Sequence, residues 1–211
     1  MQSIAELWRS PDQAAWRQAL ERYWQYVQPR NLELERALER LDLERIRNLE
    51  PEGWYDFLRN QYFRWKYTAP NRYATTTRSL AAYVDQTGGL DELHSIKFRL
   101  LELDVSKIRE GLLIACEIRG LGVAGASGLL SLLYPPAFAT VDQFAVKALR
   151  LVGGLPEDDI LARMKPESLS IANGVNLIGL MRRKSAENNQ LFETTEWTPR
   201  KIDQILWTYG R

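Results

Sequence analysis

Gly120-Leu121-Gly122-Val123-Ala124-Gly125-Ala126-Ser127-Gly128-Leu129-Leu130 is followed by the turn residues Tyr134-Pro135-Pro136 and then by Thr140-Val141-Asp142-Gln143. An apolar stretch, Ile108 to Ile118, precedes it, so the spacing predicts two helices joined by a tight glycine turn. Glycine adopts backbone angles closed to other residues and carries no side chain. Such a turn therefore lets backbone amides approach a phosphate, and the helix that follows aims its positive end at the same anion. Gly120, Leu121, Gly122, Val123, Ala124 and Gly125 are accordingly candidate DNA contacts. The competing reading is an αα-hairpin that serves packing alone.

Position by position, this segment resembles the helix-hairpin-helix superfamily of base-excision DNA glycosylases, and within it a bacterial branch of uncharacterised role that lacks the hairpin lysine. The resemblance rests on Gly120, Leu121 and Gly122, on Ala126, Leu129 and Leu130 as the small and apolar positions of the second helix, and on Asp142, eighteen residues beyond Ala124 and preceded by Val141. It covers residues 90–155 and extends more loosely to Phe63-Arg64-Trp65-Lys66-Tyr67-Thr68-Ala69-Pro70-Asn71-Arg72-Tyr73. It implies an all-α fold of two helical lobes around a cleft, Asp142 as the catalytic acid, duplex DNA as partner, and a role in DNA repair. One departure matters. Bifunctional members carry a nucleophilic Lys where this chain has Ala124, and Ala cannot form a Schiff base. The resemblance thus implies a monofunctional hydrolase that cleaves the N-glycosidic bond of a damaged or modified base. The alternative is a non-catalytic helix-hairpin-helix module for DNA or a protein, with Asp142 only an N-cap for a helix from Gln143 to Leu149.

Cleaving an N-glycosidic bond requires stabilisation of an oxocarbenium-like transition state, which a carboxylate at the mouth of a pocket supplies electrostatically. A base must first leave the duplex, and a flipped base is stacked on aromatic rings. The densest aromatic cluster follows Pro51 and Gly53, and from it Trp54, Trp65 and Tyr67 are the candidate base pocket, with Tyr55 nearby. Helical spacing would let Trp65 share a pocket with Gln61 or Tyr62. Aromatics at such spacing are more often core. Lys66 and Arg72 are candidate phosphate contacts, and Lys66 could replace the missing nucleophile if it entered the pocket from its own helix, although helical lysines are more often solvated.

Composition bounds these readings. With 211 residues and 45% hydrophobic content, the chain is long enough to bury one good-sized core or two small ones. One cysteine, Cys116, and one histidine, His94, are too few for a structural zinc site, a disulfide framework or a four-cysteine iron–sulfur cluster, and no cofactor or metal is expected. No apolar run is long enough to span a bilayer, and the first residues lack the pattern of a signal peptide, so a cytoplasmic protein is expected. A net charge of +1 argues against a strong non-specific grip on nucleic acid. Its distribution is uneven: residues 59–109 carry nine Lys or Arg against five acids, and residues 1–58 eight against eleven.

Nearly everything else reads as helix. Ser10-Pro11-Asp12-Gln13 predicts a helix start, with Ser10 as cap and Pro11 in the first position. The run from Asn31 to Glu50 predicts one exposed helix with Leu34, Leu38 and Leu41 on its apolar edge and the charges solvated. Breaks are expected at Pro70 and at Gly88-Gly89, and a helix over 171–181, with Arg182-Arg183-Lys184 near its end holding a phosphate or favouring the helix's negative terminus. Thr198-Pro199 predicts the start of the last helix. No linker separates independent domains. The chain is read as a single all-α unit over 1–211, in which about 52–150 form the hairpin lobe and 1–51 and 151–211 form or extend the second.

Overall fold

A computed structural model describes residues 2–211, and among them every regular element is a helix. The chain opens with α1 (Ile4–Trp8), α2 (Gln13–Tyr26), α3 (Pro29–Glu39) and α4 (Leu43–Arg47). Next come α5 (Pro51–Asp56), a π-helical segment (Phe57–Tyr62) and α6 (Phe63–Lys66), continuous with one another. Then follow α7 (Pro70–Val84), α8 (Gly89–Leu101) and α9 (Ile108–Cys116). The second half holds α10 (Val123–Leu133), α11 (Gln143–Val152), α12 (Asp158–Arg163), α13 (Ile171–Leu191) and α14 (Pro199–Gly210). Among the described residues no helix is long and apolar enough to cross a membrane.

One continuous set of buried apolar side chains runs from Ile4 to Leu206. α10 is hydrophobic around its whole circumference and lies in the middle of this core, with Ala126, Leu129 and Leu130 fully buried. α9 and α13 pack on it. α14 lies against α11 and α2 and ties the two ends of the chain together.

Local signals explain most boundaries and correct several expectations. α2 is capped by Asp12, whose side chain accepts from the Ala14 amide at 2.8 Å, while Ser10 Oγ accepts from the Asp12 amide. The helix therefore starts two residues later than expected from Ser10-Pro11. The run 31–50 is two helices, because Asp42 caps α4 through the Glu44 amide and breaks the leucine register after Glu39. Nor are its charges all solvated, since Glu35 is buried. Arg182-Arg183-Lys184 sits mid-helix, since α13 continues to Leu191. Its three cations are spent on the protein: Arg182 on the carbonyls of Ala137 and Val105, Arg183 on Glu157, and Lys184 on the Trp8 carbonyl at 2.9 Å. α14 begins as expected, with Thr198 Oγ1 accepting from the Lys201 amide and Pro199 in the first turn.

Candidate functional site

The hairpin is present as a turn between α9 and α10. Gly120 has φ +95° and lies so close to α7 that a Cβ would meet the Thr76 carbonyl oxygen at 2.9 Å; only glycine fits there. Gly122, the N-cap of α10, is exposed, has extended backbone, and faces open space where a Cβ would stand. No side chain caps α10, so its first amides have no side-chain partner. Leu121 and Val123 are buried anchors, and Ala124 is half-buried.

Two tyrosines hold the hairpin from behind. Tyr62, fully buried, donates to the Gly125 carbonyl, and Tyr67 donates to the Gly120 carbonyl at 3.3 Å. Tyr67, expected in a base pocket, is thus a support for the turn. Trp54 is corrected likewise. It is fully buried, stacks on Phe57 at 5.4 Å and donates Nε1–H to the Leu93 carbonyl, so it is core. Arg72 is exposed in the first turn of α7 and does not line the cleft described next.

Beyond α10 the chain runs without regular structure from Phe138 to Val141, pinned on both sides. The Val141 amide donates to Ser127 Oγ, Ser131 Oγ bonds Thr140 Oγ1, and the Thr140 amide donates to Asp203 Oδ2 at 2.7 Å. Asp142 is therefore delivered from a rigid strap. Its Oδ1 caps α11, accepting from the amides of Phe144 at 2.9 Å and Ala145 at 3.2 Å. Its Oδ2 lies 3.7 Å from Nζ of Lys66. The side chain is 21% exposed, and what it faces is an open cleft of about 310 Å³. That volume falls in the range of small-ligand pockets.

Trp65, Lys66, Thr140, Arg200, Asp203 and Trp207 line the cleft alongside Asp142. Trp65 and Lys66 are consecutive, yet both reach it, whereas Tyr62 points at the hairpin and Gln61 lines a different hollow, beside α3 and α4. The π-helical turn, Phe57–Tyr62, sets the facing of both relative to α5. An extra residue in one turn rotates everything after it by about 100° relative to an uninterrupted α-helix. Gly128 completes the arrangement, for a Cβ there would meet Tyr62 Oη at 2.9 Å, Lys66 Cδ at 3.3 Å and Trp65 Cζ3 at 3.4 Å.

The wall of the cleft is a buried ion network that the sequence reading missed. The Arg200 guanidinium reaches Glu35 at 3.1 Å, Glu39 at 2.9 Å and Asp203 at 3.1 Å, and lies 5.2 Å from the centroid of the Trp65 ring. Glu35 also accepts from Trp65 Nε1 at 2.6 Å and from the Tyr23 hydroxyl, and Glu39 accepts from Gln204 at 2.7 Å. Trp65 is therefore fixed by a carboxylate at its edge and a cation at its face. Burial works against the charge on Arg200, but Asp203, Tyr23, Glu39 and Glu35 together hold its pKa well above the ordinary value. Burial raises the Asp203 carboxyl to about 7, against the opposing pull of Arg200 and the Thr140 amide. Lys66, 10% exposed, is pushed below the ordinary lysine value by burial, although Asp142 and Asp203 pull the other way. Among the described residues no three His, Cys, Asp or Glu side chains are grouped as a metal ion would need.

Comparisons with protein-family models, with curated proteins and with solved structures returned no match. The site thus rests on its own geometry and on the motif between Gly120 and Asp142.

Proposed function

We propose that the protein is a DNA-binding enzyme of the base-excision type, which hydrolyses the N-glycosidic bond of a damaged or modified base held in the cleft that α2, α3, α6, α11 and α14 enclose. In this reading residues 52–150 form the hairpin lobe and the terminal helices the other, and DNA lies across the turn at Gly122. The observation that carries it is the position of Asp142. The acid eighteen residues past Ala124 stands at the wall of an open cleft with Oδ2 turned inward, next to a tryptophan locked in place. A flipped base would stack on Trp65, and the Asp142 carboxylate would stabilise positive charge at C1′ as the bond breaks and orient the attacking water.

A second reading, the non-catalytic module, draws on the cap: Oδ1 of Asp142 is committed to two backbone amides. Base release from duplexes carrying alkylated, oxidised, deaminated or hydroxymethylated bases, compared between wild type and Asp142→Asn, separates the two. Release lost in the variant supports the enzyme. Binding of duplex without release of any base, in both proteins, supports the module.

A further inference from the structure

We propose that Lys66 is a second catalytic residue, an amine that forms an imine with the C1′ aldehyde of the abasic deoxyribose left in the cleft after base removal. This rests on the reading above. Its own support is independent of the hairpin: of the lysines, Lys66 alone lines the cleft, with Nζ 3.7 Å from Asp142 Oδ2 and its aliphatic stem packed over Gly128. An amine becomes nucleophilic when burial favours its neutral form, and the depressed value at Lys66 has that cause. The other shielded lysines are used differently. Lys97 Nζ is bound to the carbonyls of Arg47 and Leu49, and Lys184 to the Trp8 carbonyl and Glu187. Lys66 has no carbonyl partner, only the carboxylate proposed for the first step.

The chemistry closes without a further reagent. The neutral amine adds to the C1′ aldehyde carbon of the ring-opened sugar, and the carbinolamine takes a proton from solvent water as its hydroxyl leaves as water, giving the protonated imine; that proton is released again when the imine is hydrolysed. Asp142 accepts a C2′ proton, the electron pair forms the C2′–C3′ double bond, and the C3′–O bond breaks with the 3′ phosphate leaving. Water then hydrolyses the imine, returning the Lys66 amine and an unsaturated aldehyde on the nicked strand. Asp142 would serve in both steps, first by its charge and then as a base.

The test uses the full chain and a duplex with one preformed abasic site, so that base identity does not enter. Borohydride reduces an imine to a stable amine. Wild type is expected to yield a covalent protein–DNA adduct that survives denaturing electrophoresis, with peptide mapping placing the sugar on Lys66, and to nick the strand without alkali. Lys66→Arg keeps the charge but cannot form the imine, and Lys66→Met keeps the stem. Both should lose at least nine-tenths of the adduct while retaining the wild-type near-ultraviolet circular dichroism, and if one of them fails to fold the other carries the test. No adduct from wild type, an adduct mapped to another amine, or equal adduct in the folded variants would overturn the proposal. Base release by wild type that needs alkali for strand cleavage, with no adduct, sinks the imine and leaves base excision standing. Failure of wild type to bind any duplex at low salt sinks both.

Discussion

Asp142 meets Lys66 with only one of its carboxylate oxygens: Oδ2 lies 3.7 Å from Nζ, while Oδ1 accepts the two amides that open α11. One side chain therefore holds a helix start and faces the cleft at once, and the two roles divide by atom.

That division predicts a separation of stability from activity. Asn is as good an N-cap as Asp, so Asp142→Asn should keep the cap through its carbonyl oxygen and change unfolding stability by less than about 1 kcal/mol. Asp142→Ala loses the cap and should cost about 0.5–2 kcal/mol. Base release should vanish in both. Urea unfolding of the three proteins, read beside the release assay, checks this; an Asn variant as destabilised as the Ala variant would refute the division.

The two hairpin glycines should respond in opposite ways. Gly120 has positive φ and would drive a Cβ into Thr76, so Gly120→Ala should destabilise the protein by about 1–3 kcal/mol. At Gly122 a methyl group meets nothing, and Gly122→Ala should fold normally. If the α10 amides hold a phosphate, that methyl stands in its way and weakens duplex binding about tenfold or more, the loss of one charge-assisted hydrogen bond of about 1.5–3 kcal/mol. Duplex affinity at fixed low salt decides. Undiminished binding by Gly122→Ala would remove the hairpin from the DNA interface.

Much of this was legible in the chain, and what was not has identifiable causes. Glycine, proline and capping residues mark helix ends through local backbone chemistry, which is why the α9–α10 turn, the break at Pro70 and the start of α14 could be placed. Burial of a charge depends on a distant partner. Glu35 reads as part of a solvated helix face because nothing near it announces Arg200, 165 positions away. Trp54 and Trp65 are equally aromatic and equally helical; the π-helical turn between them turns one to the core and the other to the cleft. Lys66 fails to stand out for the same reason. Gly128 was a signal available in the sequence, a glycine inside an otherwise apolar helix, where it costs stability unless another element needs the space.

That need gives a third prediction. Gly128→Ala brings a methyl within 2.9 Å of Tyr62 Oη, which is anchored on the Gly125 carbonyl, and should destabilise the protein by about 1–3 kcal/mol. Tyr62→Phe alone should also destabilise, since it removes a buried hydrogen bond to the Gly125 carbonyl. With the hydroxyl gone the methyl has room. The double variant should therefore cost less than the sum of the two, by at least about 0.5 kcal/mol. Strict additivity in denaturant unfolding would mean that Gly128 is not there to admit Tyr62.

The last prediction concerns pH. Asp203 has its folded pKa raised by burial to about 7, above the ordinary 3.8 that an unfolded chain approaches. Between those values the folded state holds a proton at this carboxyl that the unfolded state has released, so stability must fall as pH rises through the interval and level off above it. The contribution is fully present below pH 3.8 and lost by passage through about 7. Asp203→Asn resembles the protonated carboxyl, since its carbonyl oxygen can still accept the Thr140 amide, and it cannot titrate. The difference in unfolding free energy, wild type minus variant, should decline between pH 5 and pH 8. Taking the difference isolates Asp203, because the other acids around Arg200 titrate in both proteins. A flat difference would mean that the Arg200 guanidinium, 3.1 Å away, keeps Asp203 ionised throughout, and a rising one that it depresses the carboxyl below its ordinary value.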